Sequence, residues 1–510
     1  MFGTRVLEFR TSLQTVIRSD MLAKEDMSNG SYPRIVIAGL SGDSGKTIIS
    51  CGLLKCFMDA GRKVSAFKKG PDYIDPAWLG LASGRPARNL DTYLMGFAGT
   101  RNSFLKYAGP DEISVIEGNR GLFDGVDRSG THSTAELAKL LQAPVVIVLN
   151  ISKVTRTTAA MVLGCMKLDP ELKVAGVILN HAANTRHAHV AKDAIESATG
   201  VQVFGAVPKL TEGSVLPSRH LGLVMPGEFQ RSLQFLEVAR NVIGDNVDTD
   251  AIVEMAGKAP SLDFVTMPAD DWSSQEQPGE RGKLRIAYFK DESFSFYYPE
   301  NLEMLEAAGA ELIPISPSRG NLGDDVDALY IGGGFPEMNL TSLVMNREMI
   351  SRVKELAENG LPIYAECGGL MYLGESIKWK DQEYRMSGVL PISVRMNEKP
   401  QGHGYCEASV DGENPFFGLG TAIKGHEFHY SQIVDYDKDV HTALSVSRGV
   451  GCFGKRDGVT YKNVFASYLH LHATSCPEWA GGMVSCARKF RDSKEAKRLL
   501  AVPVAEFGMK

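Results

Sequence analysis

The residues best equipped for chemistry in this chain of 510 fall in two sets far apart in the sequence. The first is GLSGDSGKT, Gly39 to Thr47. A strand-like run, RIVIAGL, precedes it and a helical pattern, TIISCGLLKCFMDAG, overlaps its end. Between a strand and a helix, backbone N–H groups of such a turn cradle phosphate oxygens. Gly42 and Gly45 let the turn bend, Lys46 reaches the β- and γ-phosphates of a nucleotide, and the Thr47 hydroxyl ligates Mg²⁺. The turn departs from the standard phosphate loop, because Leu40 stands where that loop has its first glycine. Carboxylates suited to such a site follow at the ends of later strands. KKGPDYIDPAW supplies Asp72 and Asp75, and EGNRGLFDG supplies Glu117 and Asp124. Carboxyl ends of neighbouring parallel strands share one crevice. Thr47, Asp72 and Glu117 are therefore candidate magnesium ligands, and Asp75 and Asp124 candidates for a catalytic role toward the substrate. Asn180 ends the strand KVAGVILN and is read either as a reader of the nucleotide base or as a structural cap.

The second set lies beyond residue 283. LPIYAECGGLMYL puts Cys367 after a strand and before a glycine pair and a helix, a nucleophile-elbow arrangement in which the helix N-terminus is expected to lower the thiol pKa. DALYIGGGFPE ends another strand in glycines, and the amides of Gly333 and Gly334 are candidate oxyanion donors. VFASYLHLHA reads as one strand carrying His470 and His472 on the same face, and either is a candidate base. His426 and His429, in GHEFHYS, read as structural or substrate-facing.

These residues need a scaffold. Apolar strand-like runs at Arg34–Leu40, Lys63–Gly70, Ile113–Gly118, Ala143–Asn150 and Lys173–Asn180 alternate with helical stretches, which predicts a parallel sheet covered on both faces. Ser133 reads as the N-cap of STAELAKLL, with Glu136 closing a capping box. A second α/β pattern starts at Lys283. The predicted organisation is an N-terminal extension (1–33), a nucleotide-binding domain (34–245), a linker (246–282) and a second α/β domain (283–510). Lys plus Arg total 55 against 61 Asp plus Glu, a net charge of −6, which argues against nucleic acid as a partner. The 8 cysteines are scattered without CxxC spacing, and no apolar run is long enough to span a membrane. A cytoplasmic protein is the expectation.

Taken in order, KKGPDYIDPAW, RNLDTYLM, EGNRGLFDG, DESFSFYYPENLEML, GGGFPE, AECGGLMYL, GHEFHYS and ASYLHLHA resemble the successive motifs of the cobyrinic acid a,c-diamide synthase family, from about Arg34 to the C-terminus. The resemblance implies a dethiobiotin synthetase-like domain that binds ATP and Mg²⁺, followed by a class I glutamine amidotransferase-like domain. It places the family's functional carboxylates on Asp72, Asp75, Glu117 and Asp124, and its glutaminase nucleophile on Cys367. Its activating histidine falls on His470 or His472; no third triad acid is found in the sequence. Glutamine and a tetrapyrrole are the implied substrates, and a homodimer is carried as a candidate assembly. Three departures stand out. Asp43 lies where the family loop more often has its second glycine, Asn119-Arg120 replaces a hydrophobic pair, and Trp78-Leu79 replaces a histidine-bearing stretch. NRGLFDG resembles the branch linked to dissimilatory sulfite reductase, so the tetrapyrrole is expected to be cobyrinic acid or sirohaem. Arg120 is a candidate partner for a substrate carboxylate, and a closed ammonia path between the domains is expected. The rival readings are a non-enzymatic P-loop switch, a cobyric acid synthase and a tetrapyrrole-binding protein without catalysis; Cys367, Lys46 and Thr47 weigh against the first and last.

Overall fold

The computed structural model describes residues 32–210, 218–219, 222–229, 231–265 and 283–501. Nearly all of the extension read over 1–33, and the linker stretch 266–282, lie outside the described residues. The chain divides into two compact units, Met1–Pro268 and Ala269–Lys510.

The first unit is built on seven strands: β1 (Arg34–Gly39), β2 (Val64–Lys69), β3 (Arg88–Leu90), β4 (Ile113–Gly121), β5 (Val145–Asn150), β6 (Val174–Ala182) and β7 (Val203–Pro208). All their pairings are parallel, in the order β3-β2-β4-β1-β5-β6-β7. Alternation along β1 shows why the runs are apolar throughout. Ile35 and Ile37 join one core with α1 (Lys46–Asp59), α2 (Ile74–Ser83) and two later helices, Ser232–Asn246 and Thr249–Gly257. Val36 and Ala38 join the other with α3 (Gly96–Tyr107), α4 (Thr134–Leu140), α5 (Thr157–Leu168) and α6 (Thr185–Thr199). A strand covered on both faces has no polar side to show. The Thr249–Gly257 helix forms inside the stretch read as linker, and the chain leaving it returns to the sheet. Buried Arg34 donates to the carbonyls of Leu141 (2.6 Å), Tyr32 (2.8 Å) and Pro260 (2.6 Å). The Ser133 cap forms, its Oγ accepting from Glu136 N at 3.3 Å, but the Glu136 carboxylate pairs with Lys139 instead of closing the box.

The second unit holds a ten-stranded mixed sheet. Its parallel part comprises β8 (Leu284–Phe289), β9 (Ala310–Ile315), β10 (Ala328–Ile331) and β11 (Ile363–Glu366), with β11 also parallel to the strand Val464–Ser467. Antiparallel strands from Gly402 to Tyr461 continue it, and a separate four-stranded sheet spans 376–436. The sequence reading took VFASYLHLHA as one strand. It is two, Val464–Ser467 in the middle of the sheet and His470–Leu471 at its edge, paired with Ala422–His429. The break has a physical cause: the buried Asp457 carboxylate accepts the N–H groups of Tyr468 (3.1 Å) and Leu469 (3.2 Å), so these residues are withdrawn from any ladder. Among the described residues no helix is long and apolar enough to cross a membrane.

Candidate functional site

In the first unit the glycine-rich turn leaves the end of β1, the strand between β4 and β5, where α/β sheets bind ligands. Gly45 adopts φ 87° at the cap of α1, and a Cβ there would lie 2.2 Å from Nδ2 of Asn180. Gly39 is equally constrained, since its Cβ would meet Ser44 Oγ at 2.2 Å; Gly42 has open space. Asp43 has φ 52°, a left-handed conformation in which a side chain is strained, which explains why glycine suits this position. Asn180 supports the turn from below: its amide donates to Ser44 O at 2.9 Å, while Oδ1 accepts from His181 N. The Lys46 ammonium, almost enclosed, donates to Ser41 O (3.0 Å), Ser44 Oγ (3.4 Å) and Arg120 O (3.1 Å), and burial lowers its pKa. The turn thus wraps around its own lysine.

The carboxylates assemble around a residue that the sequence reading did not single out. The Lys68 ammonium, at the end of β2, donates to Asp75 Oδ2 at 2.5 Å and Glu117 Oε1 at 2.9 Å. Burial alone would depress Lys68, but Asp75 and Glu117 raise its pKa. Burial alone would raise Asp75, and Lys68 holds it below the usual carboxylate range. Glu117 is pushed up by burial, against the pull of Lys68. The Thr47 hydroxyl donates to Glu117 Oε1 at 2.9 Å and lies 3.5 Å from Asp75 Oδ1. Asp72 is brought to the same place but its Oδ1 caps α2, accepting from Ile74 N (2.8 Å) and Asp75 N (3.0 Å). Asp124 does not reach this group by any described bond; it is exposed and closes a turn, accepting from Gly121 N at 3.0 Å. Trp78 is core, donating to Val224 O at 2.8 Å and packing edge-on against Phe235, so the departure noted there concerns packing. The doubled lysine closing a buried strand was the sequence signal for Lys68.

A divalent cation can be tested against these donors. Among the described residues no three His, Cys, Asp or Glu side chains converge as a metal cage. Mg²⁺, however, is usually held by one or two carboxylates plus substrate phosphates. Glu117 Oε2 is buried with no hydrogen-bond partner, beside the Thr47 hydroxyl. That orphaned hard oxygen fits the ion.

In the second unit Cys367 sits at the turn after β11 with φ 47°, the strained elbow expected of an exposed nucleophile. Its N–H donates to Ser467 O at 2.7 Å, which fixes the turn. The expected lowering of the thiol pKa is not found. Burial, then Glu337, push the thiol up, against the pull of the Gly368 N–H. The glycine run lies over the elbow: a Cβ on Gly368 would come 3.2 Å from Gly334 N, and one on Gly333 would come 2.4 Å from His470 Cε1. Gly333, Gly334, Cys367 and His470 are therefore gathered at one place. Strand alternation does not extend to His472, because the strand stops at Leu471. The His472 ring enters the core, tilted at 52° against Tyr298 with centroids 4.5 Å apart and Nε2 3.8 Å from Glu300, and burial lowers its pKa to about 3.

Glu366 was not recognised in the sequence as part of this site, and His426 was read there only as structural or substrate-facing. Glu366, just before the nucleophile, places Oε2 3.6 Å from His470 Nδ1, while Oε1 accepts Leu471 N at 3.2 Å. His426 stacks on His470 with ring centroids 4.9 Å apart and 17° between planes. His429 instead stacks on Tyr468 at 3.7 Å and pairs with Ser431 O. Because Glu366 adjoins the cysteine and stands far along the chain from His470, no local spacing reveals it.

Residues 35–224 match a family model described as the CobQ/CobB/MinD/ParA nucleotide binding domain, and residues 285–477 match the CobB/CobQ-like glutamine amidotransferase domain. The chain is 40% identical to a cobyrinate a,c-diamide synthase of Magnetococcus marinus, over 88% of this chain and 96% of that one. It is 40% identical to one from Methanobrevibacter smithii (89% and 99%) and 41% identical to one from Dehalococcoides mccartyi (90% and 99%).

Proposed function

The chain belongs to the cobyrinate a,c-diamide synthase family, and from that premise we propose that it uses ATP and glutamine to convert the a and c acetate carboxylates of a tetrapyrrole into amides. The observation that carries the reading is the presence in one chain of a phosphate loop closed on Lys46, Thr47 and Glu117 and of a cysteine elbow with His470 and the glycine run beside it.

At the elbow, His470 takes the Cys367 proton as the thiolate attacks the side-chain amide of glutamine. The Gly333 and Gly334 amides stabilise the resulting oxyanion. Ammonia leaves, and water releases glutamate from the thioester. Tight burial of the thiol makes proton removal the step that glutamine binding must assist. In the nucleotide-binding unit Lys46 leaves its loop carbonyls for the phosphates, with Gly42 and Gly45 shaping the cradle and Asn180 fixing it from below. Thr47 and Glu117 would hold Mg²⁺, with Asp72 close by; when bound, the ion neutralises charge on the transferred phosphoryl group. Lys68 keeps Asp75 ionised, so Asp75 accepts from the N–H groups of the incoming ammonia and orients it. The carboxylate oxygen takes the γ-phosphoryl group, and ammonia displaces phosphate from the acyl phosphate to leave the amide. Asp124 shapes the turn that follows the end of β4, where Arg120 stands.

The test offers the full chain ATP, Mg²⁺ and glutamine with cobyrinic acid or with sirohaem. Mass spectrometry then reads replacement of hydroxyl by amino on the macrocycle and counts the amides formed. Amide on neither macrocycle would sink the proposal, and amide on sirohaem alone would assign the chain to the branch suggested by NRGLFDG.

A further inference from the structure

Two carboxylates of one ring cannot occupy the phosphorylation site together, so an enzyme making a diamide must hold a second carboxylate while the first reacts. The sequence places two lysines at the end of β2, and alternation sends them to opposite faces. Lys68 belongs to the cluster already described. Lys69 is 6% exposed, yet it makes no hydrogen bond or ion pair among the described residues. The acid that acts on it most, Asp91, is committed elsewhere: Oδ1 accepts Tyr93 N at 2.8 Å and Leu94 N at 3.1 Å. Lys68 and Arg120 add positive charge rather than relieve it. A cation withdrawn from water without a partner is costly and is retained where an anion will meet it.

A second observation lies beside it. Leu90, the strand partner of Lys69, leads through Asp91 to Thr92, whose Oγ1 lies 2.8 Å from His132 Nδ1. The His132 backbone is left-handed, φ 60°, and its ring stacks on Phe97 at 5.6 Å and 19°. Phe97 opens α3 and is 48% exposed. A large aromatic face left open beside a buried cation suits a flat, anionic ligand. Both features stand at the carboxyl ends of β2, β3 and β4, the edge that also carries Lys68, Asp75 and Glu117.

We propose that this edge seats the macrocycle, with Lys69 binding a carboxylate other than the one being activated and the Phe97–His132 pair receiving the flat ring. The inference rests on the amidation reading above and adds its substrate site. In a chain of net charge −6 such a local cation is what draws a polyanionic substrate to one edge.

The test uses the full chain and the variants Lys69→Met, Lys69→Arg and Phe97→Ala. Lys69→Met and Phe97→Ala each raise KM for the tetrapyrrole at least about tenfold, with kcat, KM for ATP and glutaminase rate held within about twofold. Lys69→Arg recovers most of the loss. A binding titration followed by the visible absorption of the macrocycle compares the free acid with its fully esterified form. The wild type prefers the acid, and Lys69→Met loses that preference while still binding the ester. Unchanged KM in Lys69→Met, or a parallel fall in kcat and ATP affinity, overturns the site while leaving the reaction intact. Should the wild type bind the acid through Lys69 but form no amide, the reaction falls and the site stands.

Discussion

Lys46 and Glu366 illustrate two ways in which a single side chain governs one of the sites. Lys46 is the cation within reach of the phosphate cradle that is held only by neutral acceptors, so it can be transferred to a phosphate at little cost. Lys46→Met should lower amidation at least about a hundredfold while leaving glutamine hydrolysis measurable, as read by parallel assays of amide and glutamate. Glu366 does not touch the reacting atoms; it is a positioning residue beside His470. Glu366→Gln should cut kcat for glutamine hydrolysis by about tenfold or more with KM little changed, because orientation of the base matters most in the transition state. Equal losses in kcat and KM would assign Glu366 to packing alone. Lys46, Thr47 and Cys367 were legible in the sequence because phosphate loops and nucleophile elbows impose local spacing. Lys68 and Glu366 were not, and His426 was read only as structural or substrate-facing, since each gains its role from a strand pairing more than forty residues distant or from a neighbour across the sheet.

At the scale of elements, backbone conformation and burial set the terms. Asp43 pays for φ 52° in the phosphate turn. Asp43→Ala should destabilise the nucleotide-binding unit by about 1 kcal/mol, and Asp43→Gly should not, measured by urea unfolding. The turn after the edge strand His470–Leu471 buries the His472 imidazole, which stays neutral. Burial lowers His472 from 6.5 to about 3, and His426 also lies well below its ordinary value. Between pH 6.5 and about 3 the unfolded chain binds protons that the folded chain refuses, so stability is lost as pH falls through this window. The urea midpoint of the glutaminase unit should drop across that range, and His472→Gln should flatten the slope even where it lowers the midpoint overall. The parallel strands were readable because burial on both faces makes them apolar runs. The strands between Ser376 and Tyr461 were not, because strands such as Gln382–Arg385 are mostly exposed and alternate weakly. The split of VFASYLHLHA was beyond any local pattern, since a carboxylate from Asp457 makes it.

For the whole molecule, the division into two compact units assigns one half-reaction to each. Cys367→Ala should abolish glutamine-dependent amidation yet retain amidation driven by an ammonium salt, with the same product masses. Loss of both would mean that the cysteine also serves the synthetase. Where one unit hands over to the next is less obvious from the boundary read in the sequence, at residue 245, than from Arg34. Its guanidinium fastens the first strand to a carbonyl of Pro260, well past that boundary. Anyone wishing to express the halves separately should therefore cut between 265 and 283. A cut at 245 would discard one of the three carbonyls that hold the buried Arg34 guanidinium, and so weaken the first half before its activity is ever tested apart.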